Sequence, residues 1–291
     1  MRSDAPRPLV SSRISDQLFR GVCAFAAYTP VIVAILVLGS VVWAGAGQLS
    51  VVFAGPALTS LLPDLAGSLV LALMTGAIAI PFGVGAAVYL EELAPHRRLA
   101  AATELLIANL AAVPSALYGL VGLAVFVRTL GLGRSLLTGA LTLAMVVLPI
   151  VTLAAVQGLR TVPAVLRHGG LALGATRWTT FRILVFPAAL PSMVTGAIVA
   201  MGRALGEGAA LLMLGGFAYL SAVDGRMDAP LAALPVRVFF WASDPAPERM
   251  VAAAAGVLVL LAVLLVLGGL AVAFQRSSAR RSGLSNRRED N

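Results

Sequence analysis

The chain has 291 residues, of which 59% are hydrophobic and only 12% are charged. Soluble domains carry about 25% charged residues, so this composition excludes a soluble globular protein and indicates a membrane protein. The net charge of +8 comes from arginine alone, and the arginines follow the sides of a membrane rather than one soluble face, which argues against nucleic-acid binding.

The apolar residues fall into six stretches, each long enough for the roughly 20 residues that a bilayer-crossing helix needs. Pro81, Pro114 and Pro149 lie inside the second, third and fourth stretch, where a proline removes a backbone hydrogen bond and kinks a helix. Only the fifth stretch contains charged side chains. We therefore predict an all-α integral membrane protein with six transmembrane helices, near 22–44, 68–90, 105–127, 135–156, 190–215 and 251–274.

The arginines predict the orientation, because positively charged loops are retained in the cytoplasm. With the N-terminus inside, fifteen arginines fall on inner segments, five fall on outer segments, and Arg203 lies within the fifth span. The tails, 1–21 and 275–291, are therefore predicted to be cytoplasmic, and the spans form one domain over 22–274. The first apolar run exceeds the roughly 7–15 residues of a signal-peptide core, so we expect it to be retained as a span.

The segment between the fourth and fifth spans is unusually rich in arginine and glycine. Pro163 is suited to start a short helix there, and Gly174 is suited to end it. Thr176 is placed to cap a second short helix that carries Trp178. The segment 157–187 is therefore predicted to form two short helices that meet at a glycine and face the cytoplasm. An ordinary basic loop that obeys the positive-inside rule is the alternative.

This segment resembles the cytoplasmic coupling loop of ABC-importer permeases. The family signature is Glu-Ala-Ala, three residues, Gly, nine residues and Ile-x-Leu-Pro; here "HGG" takes the first positions and "LVFP" the last. In that family the loop docks on a cytoplasmic ATPase and transmits its opening and closing. Two glycines should loosen the first coupling helix, since each costs about 1 kcal/mol relative to alanine, and His168 removes a carboxylate acceptor. The resemblance implies ATPase-coupling residues at Arg167, His168, Gly169, Gly170, Gly174, Arg177, Trp178 and Pro187.

Four further stretches resemble the A-type permeases of phosphate importers (PstA type): "IPFGVGAAVYLEELAP", "VPSALYGLVGLAVFV", "GRALGEGAALL" and "LPVRVFFWASDPAPE". The last stretch, in the predicted outer loop, separates this type from the sister C-type permeases. The resemblance covers all but the polar ends, roughly 1–15 and 276–291, which we expect to be disordered. It implies the type I ABC-importer permease fold and a multi-pass location in the bacterial cytoplasmic (inner) membrane.

The run "RALGE" places Arg203 and Glu207 inside the fifth span, four residues apart, which on a helix puts both on one face. Charged groups at membrane depth cost at least about 2.5–3.5 kcal/mol, so they usually face each other or a polar interior. A structural ion pair is one interpretation, and a site on a solute path is the other. The resemblance implies the second. In that interpretation, the Arg203 guanidinium attracts phosphate, and Glu207 accepts a hydrogen bond from its P–OH group or controls the arginine.

Two other regions allow two interpretations each. Glu91 and Glu92, just inside the membrane after the second span, are expected to be interfacial charges or contacts of the ATPase. The outer loop from Phe217 to Arg249 carries several aromatic residues, among them Trp241. These are expected to anchor the protein at the bilayer interface, or else to close the outer mouth or meet a binding protein.

The resemblance also implies that this chain is half of a transport path. The expected partners are a second, PstC-type permease, a PstB-type ATPase dimer, an extracytoplasmic PstS-type phosphate-binding protein and the lipid bilayer, with no nucleic acid. The chain has no GxxxxGK[ST] loop, so ATP and Mg²⁺ are expected at the ATPase, and neither a cofactor nor enzymatic activity is expected here. One cysteine and two histidines are too few for a metal cluster.

Three other functions compete with a phosphate permease. A permease for molybdate or sulfate would share the coupling loop and differ only around Arg203 and in the outer loop. An ion-coupled secondary transporter would be expected to show internal repeats, and none is convincing in this sequence. A membrane-embedded enzyme would need more polar residues within the spans than one arginine and one glutamate.

Overall fold

The computed structural model describes residues 12–46, 56–94, 96–216 and 233–289, and every regular element within these residues is helical. Helices suit so apolar a chain, because each backbone polar group is satisfied within its own segment where no water is present. The helices, numbered in chain order, are α1 (Ser12–Ala46), α2 (Pro56–Val88), α3 (Arg97–Ala111), α4 (Ser115–Gly122), α5 (Leu136–Arg160), α6 (Ala164–Ala172), α7 (Arg177–Thr180), α8 (Phe186–Gly206), α9 (Ala209–Leu211), α10 (Leu234–Ser243) and α11 (Pro247–Glu289).

Wider, π-helical turns extend four of these helices. Tyr89–Leu93 follows α2, Leu123–Thr129 follows α4, Phe181–Val185 joins α7 to α8, and Leu212–Gly216 follows α9. Such turns are rare and often lie at functional sites. The first of them carries two glutamates, and the third makes a short surface helix continuous with a membrane helix.

Five of the six predicted spans coincide with long apolar helical runs. The six-helix prediction is confirmed in this sense, and the bent pair α3 and α4 supplies the remaining crossing if its two halves are taken as one span. The runs are Asp16–Ser40, Leu61–Leu93, Leu136–Arg160, Arg177–Gly206 and Pro247–Gln275.

The third predicted span, 105–127, is not one kinked helix. α3 and the extended α4 are inclined by 93° to each other. Pro114 has an extended backbone and disfavours helical dihedrals at Val113, so it ends one helix and precedes the next. Pro81 and Pro149 instead lie within continuous helices, as predicted.

α5 lies at the centre of the bundle, between α2 and α8. In its apolar window 67% of the residues are buried, compared with 0% in α1. Its start is capped by Ser135, whose hydroxyl accepts the Thr138 N–H at 3.3 Å. Gly196 of α8 packs directly on Ala154 of α5, a close approach that a small residue permits. The apolar faces that remain open, including most of α1, are those that lipid or another subunit would cover.

The expected disorder of the polar end 276–291 is wrong for residues 276–289. These residues continue α11 to Glu289. A helix that is already formed gains one hydrogen bond for each added residue, so a polar sequence without proline can prolong it. Residues 1–11, 290 and 291 lie outside the described part of the chain.

Candidate functional site

The segment 157–187 folds as two short helices, as its local sequence predicts. α6 follows Pro163, and Gly174 ends it with a positive φ of 83°. The N–H of Gly174 donates to the Leu171 carbonyl at 3.0 Å, and the N–H of Ala175 donates to that of Gly170 at 3.1 Å. This pair of hydrogen bonds is the Schellman motif. The motif needs a residue with positive φ, which glycine adopts readily because it has no Cβ.

The second short helix, α7, begins at a threonine cap. The Thr176 hydroxyl accepts the Thr179 N–H at 3.2 Å. Through the turn Phe181–Val185, α7 continues into α8, so that Arg177–Gly206 is one membrane-length run. Pro187 lies in the first turn of α8 and, having no N–H, donates no hydrogen bond to the turn that precedes it. A rigid connection therefore joins the surface segment to the fifth span.

The two glycines in place of the family's alanines have different surroundings. Gly169 is exposed, and a Cβ added there would meet nothing within 4 Å. Gly170 is buried, and its added Cβ would lie 2.7 Å from Cγ2 and 2.8 Å from Oγ1 of Thr180. The expected loosening of α6 therefore applies to Gly169, whereas Gly170 allows α6 and α7 to approach closely.

Arg167 does not extend from the segment toward an outside partner. Its Nε and Nη2 groups donate to Glu92 Oε1 at 3.1 and 3.0 Å. Its Nη1 donates to the Val162 carbonyl at 2.9 Å and its Nη2 also to the Leu159 carbonyl at 2.8 Å. The side chain thus ties α6 to the end of α5 and to the turn that follows α2.

A second arginine in this region bridges two acids. Arg160, the last residue of α5, pairs with Glu91 at 2.7 Å and with Glu104 of α3 at 2.7 Å. Glu91 and Glu92, predicted as interfacial charges or ATPase contacts, are thus both engaged by arginines of the chain itself. The sequence did not predict the pairs of Arg160 with Glu91 and Glu104, because residues 69 and 56 positions apart leave no spacing signal.

The remaining predicted coupling residues lie on the surface. His168 and Arg177 are exposed, and the Trp178 ring is 60% exposed while stacking on Phe181 at 5.6 Å between ring centroids. With Glu92, Arg167 and Leu171 they border a hollow of about 200 Å³ between α6, α7 and the end of α2. At the tip, the Leu173 side chain is 90% exposed.

The prediction that Arg203 and Glu207 share a helix face was wrong. α8 ends at Gly206, and Glu207 has an extended backbone with φ −78° and ψ 107°. Arg203 is exposed and forms no hydrogen bond or ion pair with another described residue. Glu207 is 9% exposed, and its Oε1 accepts the Ala210 N–H at 3.3 Å, which caps the short helix α9. The ion-pair interpretation of these two residues therefore fails in this structure.

The start of α10 covers the break at Glu207. Pro235 lies beside Gly208 and, with Ser68 of α2, lines the small space around the Glu207 side chain. The Ser68 hydroxyl accepts the Leu234 N–H at 2.8 Å. α10 thus connects α2 to the interrupted fifth span.

A buried ion pair, missed by the sequence analysis, holds α10 in place. Arg237 donates to both carboxylate oxygens of Asp64, at 2.6 and 3.2 Å, and Asp64 is 1% exposed. The guanidinium also lies 5.9 Å from the centroid of the Trp241 ring. Trp241 is itself buried, so it belongs to the protein core and does not anchor a lipid interface. Residues 217–232 of the outer loop lie outside the described part.

Comparison with known proteins gives a family match over most of the chain. Residues 79–281 match the model of the binding-protein-dependent transport system inner membrane component. "Probable ABC transporter permease protein YqgI" of Bacillus subtilis is 35% identical over 71% of this chain and 72% of its own length. "Phosphate transport system permease protein PstA 1" of Mycobacterium tuberculosis is 34% identical over 62% of this chain, and the chain spans only 59% of that relative.

Solved structures of ABC transporters share the fold. A chain of the inward-facing MetNI methionine ABC transporter superposes with a TM-score of 0.59 at 16% identity, covering 76% of this chain and 95% of that chain. A chain of a bacterial ABC transporter involved in import of the acidic polysaccharide alginate superposes with a TM-score of 0.57 at 14% identity, covering 91% and 99%. These likenesses support the predicted type I permease fold and are too distant to indicate a solute.

Proposed function

The chain belongs to the binding-protein-dependent transport system inner membrane components, a family of multi-pass ABC-importer permeases, and we propose that its solute is inorganic phosphate. The observation that carries the proposal is the Arg203 side chain, which lies within the fifth span, is exposed and has no described partner. The PstA-type relatives, at 34% identity, favour phosphate among the oxyanions.

Arg203 is the residue to which we assign the attraction of phosphate. An arginine facing lipid at membrane depth costs about 2.5–3.5 kcal/mol or more, so an exposed one indicates a polar surface in the assembled transporter. A guanidinium can donate two parallel hydrogen bonds to an oxyanion. One permease leaves this side chain uncovered, in keeping with a path completed by a second permease subunit.

Glu207 remains the proposed discriminating residue. A carboxylate accepts a hydrogen bond from the P–OH of hydrogen phosphate, whereas sulfate offers no such proton at neutral pH. In the described state Glu207 is buried beneath the start of α10, so contact with the solute requires α10 to move from the break. A glutamine at this position would retain an oxygen for the Ala210 N–H and would lose the charge.

The segment 157–187 is proposed to dock on an ATPase subunit. It contains no acidic residue, and Arg177 and Arg182 are exposed and make no hydrogen bond or ion pair with other described residues. Beside these cations, Leu173 and Trp178 expose apolar surface. Trp178 and Arg203 lie on the same continuous run, Arg177–Gly206, about 35–40 Å apart along the helix. A movement of the docked segment would therefore be passed along this helix to Arg203. In this proposal the chain itself hydrolyses no ATP.

The proposal includes an orientation and a set of partners. The arginine bias places both tails and the segment 157–187 in the cytoplasm and α10 outside. The proposed partners are a PstC-type permease, a PstB-type ATPase dimer that holds ATP and Mg²⁺, and an extracytoplasmic phosphate-binding protein. A Cys23→Ser protein carrying a single new cysteine should be labelled by an impermeant reagent in whole cells at Asp244→Cys and not at Arg177→Cys. The reverse pattern would overturn the orientation.

The experiment that tests the function is labelled-phosphate uptake in cells lacking this gene. We compare the wild-type protein with Arg203→Ala, Glu207→Gln and the control Arg128→Ala, which removes an exposed arginine from another part of the chain. Wild type and control should restore phosphate uptake, and an excess of sulfate or molybdate should not inhibit it. Arg203→Ala should not restore uptake when its level in the membrane matches that of wild type. Glu207→Gln should lower phosphate uptake.

Two results would contradict the proposal. Restoration of sulfate or molybdate uptake in place of phosphate would assign another oxyanion to the same permease. Full phosphate uptake with Arg203→Ala would keep the transporter and remove Arg203 from the path.

A further inference from the structure

The Arg167 side chain joins three elements that meet on one side of the bundle. It starts on α6, donates twice to Glu92 beyond α2, and donates to the carbonyls of Leu159 and Val162 at the end of α5. The last carbonyls of a helix carry partial negative charge and attract cations. All three guanidinium nitrogens are therefore used within the chain.

The contact is shielded from solvent on both sides. The side chains of Arg167 and Glu92 are 26% and 16% exposed, so salt screens their attraction less than that of a surface pair. Hydrogen bonds between charged partners are also stronger than neutral ones. The exposed Arg177 and Arg182, in contrast, remain available to a partner protein.

The wide turn after α2 presents its two acids to two different arginines. Glu91 pairs with Arg160 and Glu92 pairs with Arg167. The turn closes with the Ala94 N–H donating to the Tyr89 carbonyl, five residues back, at 2.8 Å. Both acids are thus fixed to α2, a helix that also borders the space around Glu207 through Ser68.

We infer that Glu92 and Arg167 form a strut through which the end of α2 positions the coupling helix α6, so that they act as positioning residues of transport. This inference rests on the proposed function of the segment 157–187 as the ATPase-docking surface. In it, Arg167 holds α6 in the orientation that the ATPase engages and does not itself touch the ATPase. A movement of α2 is then passed to α6 directly, alongside the route through α7 and α8.

The test uses the assembled transporter, purified and reconstituted in proteoliposomes with its second permease, ATPase and binding protein. We compare wild type with Glu92→Gln, Arg167→Gln and the double variant. Arg128→Gln is the control, because it removes an exposed arginine outside the segment 157–187 without removing a described contact. The measurements are ATPase retained per permease, basal ATP hydrolysis and its stimulation by solute-loaded binding protein.

Both single variants should retain the ATPase and lower the stimulation at least about fivefold, the lower end of typical coupling between distant sites. The double variant should lose no more than Arg167→Gln alone, because that change already removes the contact with Glu92. Arg167→Lys, which keeps the charge, should recover part of the stimulation. A role in folding alone would reduce the amount of complex and leave the stimulation of the surviving complex unchanged.

Three outcomes would overturn the strut. Loss of ATPase retention with Arg167→Gln and not with Glu92→Gln would make Arg167 a docking residue. Additive losses would indicate two independent roles, and wild-type stimulation in both single variants would remove the contact from coupling. A wrong phosphate assignment gives a different result, because the wild-type complex would then be stimulated by a binding protein loaded with another oxyanion. The variants are in that case compared with that solute.

Discussion

Two arginines of this chain differ in how they find an acidic partner. Arg203 does not contact the acid nearest to it in sequence, whereas Arg167 contacts an acid far from it in sequence. Arg203 lies four residues before Glu207, and yet the end of α8 at Gly206 separates the two side chains. Arg167 lies 75 residues after Glu92, and the two are joined by two hydrogen bonds. The comparison teaches that an arginine's neighbours in sequence reveal its partner only where the helix between them is unbroken.

The same comparison separates the two roles. Arg167 has its hydrogen-bonding groups satisfied within the chain, which suits a part that holds position. Arg203 has none satisfied by a described residue, which suits a part that awaits a ligand. Substitutions can test this distinction between a paired and an unpaired arginine.

The largest effect is expected at Arg237, an arginine whose acid partner is almost fully buried. Arg237→Met leaves the Asp64 carboxylate uncompensated at 1% exposure, and breaking a buried pair in this way costs about 3–5 kcal/mol. The free energy of unfolding in detergent measures this loss. Asp64→Asn combined with Arg237→Met should cost less than the sum of the two single changes. A loss below about 1 kcal/mol, the range of surface pairs, would show that the pair is not buried.

An intermediate effect is expected at Arg167 and almost none at Arg203. Arg167→Met removes hydrogen bonds between charged groups and should lower the free energy of unfolding by about 1.5–3 kcal/mol. Arg203→Met removes no described contact, so its change should stay within about 0.5 kcal/mol. Denaturant titration of both variants in the same detergent gives the comparison. Equal losses at the two positions would mean that Arg203 has a structural partner in the folded chain.

Effects of opposite sign are expected at the two adjacent glycines of α6. Gly169→Ala should stabilise the protein by up to about 1 kcal/mol, because its Cβ meets nothing and alanine favours a helix. Gly170→Ala should destabilise it by about 1–3 kcal/mol, because its Cβ meets Thr180. Thermal unfolding distinguishes the signs.

Thr180→Ala provides the control for the glycine pair. It removes both atoms that the new Cβ would meet, and the Thr180 hydroxyl it deletes is buried and has no hydrogen-bond partner among the described residues. Gly170→Ala combined with Thr180→Ala should therefore approach wild-type stability. Destabilisation that persists in the double variant would place the conflict elsewhere, for example at Leu184, 3.1 Å from the added Cβ.

Local signals in the sequence predicted the coupling segment well. Pro163, Gly174 and Thr176 act within their own turn of chain, so their positions alone indicate where α6 ends and α7 begins. Hydropathy likewise predicted six spans, of which five are long apolar helices, because a bilayer demands a continuous apolar stretch. Pro114 shows the limit of such signals, since the sequence does not reveal whether a proline kinks a helix or ends it.

Long-range contacts were beyond the reach of a single sequence. Arg160, Arg167 and Arg237 each find acids 56 to 173 residues away, and no spacing rule connects such positions. The aromatic residues of the predicted outer loop indicated an interface anchor or a part of the outer mouth, whereas Trp241 is buried because α10 packs on α2 and α11. The break at Glu207 also depends on that packing, since Pro235 fills the space beside Gly208.

The membrane location, the positions of the apolar helices and the turn of the coupling segment are predictable from the sequence, because they depend on composition and on neighbours within one helical turn. Which arginines are neutralised and which remain available follows from the packing of the folded chain. That outcome depends on which helices meet, and in an apolar protein a charged side chain is stable only where folding brings it a partner or a polar surface.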